Sequence, residues 1–184
     1  PNTNEWSWVN GPQIGGLPGN FGIMGVPSPA NLPPPCTEST VTWVDAAGNL
    51  WMFGGVDLST PATDDVWKYD ISTNLWTWMS GQSSGLVFAN YGTLGVPSQT
   101  NTPGGRYVYA HWQDQQGNLW MFGGYDPTAN LLADMWRYNP NTGIWTWMAG
   151  SNISSSTPTV SNTFTTQCTP GGHPDGVFEN RACW

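Results

Sequence analysis

A chain of 184 residues is long enough to bury a core, and thirteen Trp, six Tyr and six Phe supply apolar surface for one. Charged residues are 9% of the chain and the net charge is −8, with a single lysine, Lys68, and three arginines, Arg106, Arg137 and Arg181. No basic patch is available to displace counterions from a nucleic acid or to dock on an anionic membrane, and no apolar run approaches the ~18 residues of a membrane span.

The chain opens on Pro1-Asn2-Thr3 with no initiator Met and no signal-like segment, which reads as a processed or partial product. Residues 1–11 come first, and Glu5–Gly11 (EWSWVNG) copies a motif that recurs at the end of each later unit. Trp6–Val9 is therefore expected to be the outermost strand of a preceding unit, with Trp6 and Trp8 as strand-donating residues. A connector rich in Gly and Pro covers 12–39.

The first full unit spans 40–81. It reads VTWVDAAGNLWMFGGVD (Val41–Asp57), then DDVWKYDISTNLWTWMSG (Asp64–Gly81). Four short strands are predicted: Thr40–Val44, Leu50–Phe53, Val66–Tyr69 and Leu75–Met79, joined by Gly- or Asn-bearing turns. A second connector covers 82–105, and a second unit 106–150. AHWQDQQGNLWMFGGYD (Ala110–Asp126) and ADMWRYNPNTGIWTWMAG (Ala133–Gly150) repeat the first unit at a constant separation of 69 residues. Trp43 thus matches Trp112, Trp67 matches Trp136, Tyr69 matches Tyr138 and Trp76 matches Trp145. No segment sustains a helical period, so the class is all-β.

Residues 151–184 form a Ser/Thr-rich loop followed by a lead-in or cap, QCTPGG (Gln167–Gly172) echoing NTPGG (Asn101–Gly105). The loop carries the sequon Asn152-Ile153-Ser154, a glycosylation candidate that points outside the cell. Of three cysteines, Cys168 and Cys183 are a candidate disulfide and Cys36 is left over; metal binding is the rival reading, though no C-x-x-C spacing occurs.

The double glycine Gly54–Gly55, then Asp65-Val66-Trp67-x-Tyr69 and Trp76, resembles the kelch repeat, one blade of a β-propeller. Gly123–Gly124, Trp136, Tyr138 and Trp145 repeat the pattern with Trp43 and Trp112 upstream. The resemblance implies radial four-stranded antiparallel blades whose aromatics pack blade on blade. The kelch period is about 50 residues, so the connectors are additional. Arg106 opens the second unit where Thr37 stands in the first, and it is expected to pair with carboxylates or carbonyls of a neighbouring blade.

Closed propellers need four to eight blades, and this chain spells two. Three explanations stay open: a segment of a longer propeller, copies that complete one another, or a capped domain. The expected role is structural or adhesive, outside the cell, without enzymatic activity, metal or cofactor. The expected partners are copies of the chain or neighbouring blades, and glycans. The alternative is a carbohydrate-binding or enzymatic propeller, resembling the kelch-like oxidases or sialic-acid-handling enzymes, with its working residues elsewhere. His111 and His173 are the available imidazoles, and Asp57/Asp126 and Asp65/Asp134 recur in register, as structural hydrogen bonders would. Phe88, Tyr91 and Leu94 are expected to anchor the second connector to its blade.

Overall fold

The computed structural model describes residues 5–36, 40–56 and 62–156. Eight strands follow in chain order: β1 (Val41–Val44), β2 (Leu50–Gly55), β3 (Thr63–Asp70), β4 (Leu75–Ser80), β5 (Ala110–Gln113), β6 (Leu119–Phe122), β7 (Asp134–Asn139) and β8 (Ile144–Gly150). They form two four-stranded antiparallel meanders, β1-β2-β3-β4 and β5-β6-β7-β8, and no helix occurs among the described residues. The chain is all-β and blade-like, with the strands where the repeat places them.

Each blade's registers reproduce the other's. Trp43 pairs with Trp51 and Trp112 with Trp120; Tyr69 pairs with Trp76 and Tyr138 with Trp145. The first hairpin of each blade is locked by one aspartate. Asp45 accepts the backbone N–H of Ala47 and Asn49 through Oδ1, and the Asn49 amide and Trp51 Nε1 through Oδ2. Asp114 does the same with Gln116, Asn118 and Trp120. Burial works against the charge on both carboxyls, but the four donors outweigh it and hold them below the ordinary range.

The connectors are ordered and dock on the blade that follows them. Asn20 bridges Leu32 and Asn90 bridges Thr102, closing each connector on itself. Ser28 then bridges Trp76 on β4, and Ser98 bridges Trp145 on β8. Gly25 N–H donates to Trp78 O and Gly95 N–H to Trp147 O, each at 2.8 Å. Asn31 and Asn101 reach the Trp76 and Trp145 carbonyls. The outer edge of each sheet is thereby covered rather than left to pair with another chain.

Trp6–Val9 is unpaired among the described residues; a strand exists only against a hydrogen-bonded partner, and the preceding blade expected for it is not among them. Trp6 is 101% exposed and Trp8 is exposed too, while Asn10 donates to Asn74 O at the β3–β4 turn. Of the residues expected to anchor the second connector, Phe88 and Leu94 are exposed, so that expectation is corrected for them; Tyr91 does anchor it, packed against Trp136 and Trp147.

The main core lies between the blades. Val41, Trp43, Trp51 and Phe53 of blade one meet Tyr109, Leu119, Tyr138 and Trp145 of blade two. Tyr138 sits edge-on to both Trp43 and Trp51 at 6.2 Å, and Phe53 meets Trp145 at 5.1 Å. Among the described residues, Tyr109 OH donates across the seam to Phe53 O at 3.2 Å and the Gln113 amide to Val44 O at 2.8 Å. Rings of this size bury about 150–250 Å² each, so the seam is a large share of what holds the chain together.

Candidate functional site

The polar centre of each blade is an aspartate two residues before a buried tryptophan. Strand alternation puts both side chains of Asp-x-Trp on one face, so Trp67 Nε1 donates to Asp65 at 2.6 Å and Trp136 Nε1 to Asp134 at 2.7 Å. Trp67 and Trp136 are fully buried. The paired acids at 65 and 134 are thus internal hydrogen bonders of the strands β3 and β7.

In blade two the centre is complete. Arg106, 0% exposed, donates to both oxygens of Asp134 at 2.7 and 3.0 Å, to Gly123 O at 3.0 Å and to Pro103 O. Tyr91 OH adds a bond to Asp134 Oδ2 at 2.8 Å. Burial opposes the charge on Arg106, but the Asp134 carboxylate beside it prevails and raises its pKa. Burial, reinforced by the same carboxylate, pushes the Tyr91 hydroxyl up, so it stays protonated and donates. Arg106 therefore ties together its own blade and lead-in, not a neighbouring blade as the resemblance implied. Within one sheet its carboxylate partner stands only a strand away.

Blade one carries the same centre with two parts changed. Phe21 sits against Trp67 and Trp78 at 5.1 and 5.2 Å, as Tyr91 sits against Trp136 and Trp147 at 5.3 and 5.0 Å, but without a hydroxyl. Cys36 Sγ points at Gly54 O, the counterpart of the Gly123 carbonyl that Arg106 holds. Cys36 thus lies at the Gly54 carbonyl as Arg106 lies at that of Gly123, while Thr37 lies outside the described residues. Asp65 is 2% exposed and its Oδ1 has no hydrogen-bond partner. Burial raises its pKa, more than the nearby Thr63 and Trp67 side chains lower it.

The double glycines serve close approach. Gly54 and Gly55 have φ of 59° and 123°, Gly123 and Gly124 of 70° and 92°. A Cβ on Gly54 would lie 2.9 Å from Thr63 O, and one on Gly124 2.7 Å from Tyr107 O.

No group of three or more His, Cys, Asp or Glu side chains able to hold a metal occurs among the described residues. His111 lies in β5, half-buried, and burial lowers its pKa. Asp126 closes its own loop by accepting from Thr128 and Asn130. Asn152 is exposed, beside a cleft lined by Phe88, Tyr91, Asp126 and Pro127. Asp57, Cys168, His173 and Cys183 lie outside the described residues.

The remaining feature is the pair of outward blade faces. Tyr69 and Trp76 face away from the seam on blade one, and Trp112 and Trp120, stacked at 6.1 Å, face away from it on blade two. Sequence reasoning identified these residues by register. Which copy of each is covered follows only from the packing of the two sheets.

No family model matches the chain, and no curated protein matches it. Among solved structures 86 chains match. One is YjhT, with a TM-score of 0.44 and 15% identity over 62% of this chain. The match spans 38% of the YjhT chain.

Proposed function

We propose that this chain is a structural, non-enzymatic repeat protein of kelch-like blades that assembles with copies of itself outside the cell. The observation that carries this reading is the segment at Trp6–Val9. It repeats the β4 and β8 sequences, has no strand partner among the described residues, and exposes Trp6 and Trp8 to solvent. Both rings contribute to stability only when covered. A strand offered at one end of a two-blade array makes a head-to-tail contact, which closes into a ring or propagates as a filament.

The near absence of lysine and the exposed sequon at Asn152 support an extracellular setting with the 151–156 loop outward and glycosylated. The same setting suits a Cys168–Cys183 bridge.

The test is the size and shape of the purified particle by electron microscopy, with mass photometry alongside. Rings or filaments built on a 20.0 kDa repeat support the proposal. A particle of one chain at every concentration overturns it.

A further inference from the structure

The seam inside the chain joins two different surfaces, and each surface exists in a second copy turned away from the seam, in which Tyr69 is buried, Leu50 is exposed and the other rings and methionine are half-buried. On blade one the seam uses Trp43, Trp51 and Phe53, all buried by blade two. Their counterparts on blade two are Trp112, Trp120 and Phe122, which face outward and are only half-buried. On blade two the seam uses Leu119, Met121, Tyr138 and Trp145. Their counterparts on blade one are Leu50, Met52, Tyr69 and Trp76. The leucines give the contrast: Leu119 is 0% exposed and Leu50 is 41% exposed, although both occupy the same register position opposite a tyrosine.

We infer that these two outward faces dock on one another between copies of the chain, reproducing the internal seam. The Trp112–Trp120–Phe122 face of one copy covers the Leu50–Met52–Tyr69–Trp76 face of the next. The occupant is a second copy because the internal seam already shows the two chemistries in contact, residue type for residue type. Met52 repeats Met121, Tyr69 repeats Tyr138, and the Trp112–Trp120 stack repeats the stack of Trp43 on Trp51 at 5.5 Å. The cation over the stack is kept as well: Lys68 lies over Trp51 at 6.0 Å and Arg137 over Trp120 at 5.8 Å.

Two elements are not reproduced. Tyr109, whose hydroxyl donates to Phe53 O and whose ring meets Phe53 at 6.0 Å, has Thr40 as its counterpart. Gln113, which donates across the seam to Val44 O, has Val44 itself as its counterpart, so the contact between copies lacks both bonds. The contact between copies is therefore weaker than the seam within one, and assembly depends on concentration. Because the two faces differ, each copy makes two contacts, and with two blades per copy a closed ring of four to eight blades holds two to four copies.

This inference rests on the self-assembly reading but names a surface other than the donated strand. Three full-length variants separate them. Leu50→Arg blocks one face, Trp112→Arg blocks the other, and Trp8→Pro disables strand pairing at Trp6–Val9. The expected result is that Leu50→Arg and Trp112→Arg each give single chains by mass photometry, while an equimolar mixture gives a pair of twice the 20.0 kDa chain mass through its one intact contact. A misfolded variant cannot form that pair. If both face variants assemble like the unmodified chain and only Trp8→Pro falls to single chains, the strand carries assembly and the face contact is overturned. Face variants that melt cooperatively like the unmodified chain and stay single even when mixed also overturn it. An unmodified chain that never assembles overturns both readings.

Discussion

Phe21 and Tyr91 occupy the same place against successive blades, each ring wedged between two tryptophans at about the same distances, and differ by one oxygen atom. That oxygen is bonded to Asp134 in blade two, whereas Phe21 offers Asp65 no donor and Asp65 Oδ1 has no hydrogen-bond partner. With Cys36 standing where Arg106 stands, the two blades present one carboxylate in two electrostatic states.

Removing the oxygen from blade two has a definite cost. Tyr91→Phe should destabilise the chain by about 1.5–3 kcal/mol, the range for a hydrogen bond to a charged group. Phe21→Tyr should act in the opposite direction by giving Asp65 a donor. Thermal unfolding of both variants checks the pair, and the idea fails if the two shifts share a sign.

Asp65 should make blade one sensitive to pH. Its folded pKa lies above the ordinary value of 3.8 because of burial. Between those two values the folded state keeps a proton that the unfolded state has released, so stability falls as pH rises through that window. Asp65→Asn keeps an acceptor for Trp67 and removes the charge. It should be near neutral in effect at acid pH and stabilising at about pH 7. Equal effects at both ends of the range would show that Asp65 is not held protonated.

Arg106 is the opposite case. Truncation to Met leaves the Asp134 carboxylate buried without its cation, which costs about 3–5 kcal/mol. Adding Asp134→Asn to Arg106→Met should recover part of the loss, because the stranded charge goes with it. Denaturant melts of the single and double variants give the coupling directly. Simple additivity would contradict the pairing.

Gly124→Ala should be costly although it adds one methyl. The residue has φ of 92°, and the new Cβ would sit 2.7 Å from Tyr107 O, a backbone atom with little freedom to yield. A loss of about 1–3 kcal/mol is expected from strain of this kind. Gly117→Ala, in an open hairpin with a positive φ of 81°, meets only the end of Gln113. It should lose less, and the difference between the two melting temperatures isolates the clash.

The strands, their order and their turns were legible because alternation and turn chemistry are local, and each was written twice. The pairing of Arg106 with Asp134 was half legible: the need for a carboxylate could be read, but not that it lay in the same sheet. The lead-ins differ in length by one residue, so the sequence offers two counterparts of Arg106, Thr37 and Cys36. Counting back from the blades lands one residue past Cys36, whereas counting forward from the connectors, Asn20 to Asn90, lands on it. Trp6–Val9 reads as a strand by composition, yet strand state is a property of a pair. The covered and uncovered copies of the aromatic faces have nearly identical sequences. Only the stacking of one sheet on the other distinguishes Leu119 from Leu50.

Because each connector docks on the blade that comes after it, the self-sufficient module does not begin at a first strand. It begins at the connector, so residues 82–150 carry their own edge cover, polar centre and hairpin locks. A tandem duplication cut at Gly81 and Gly150 would insert a blade with its own edge cover, losing at the new junction only the bonds that Gln82 N–H and Thr102 Oγ1 make to Asp64, whose counterpart is Ala133. Cut at strand boundaries, the same duplication would strip one sheet of its cover. The array can therefore grow by copying, and the place where copying disturbs least is fixed by which blade each connector serves.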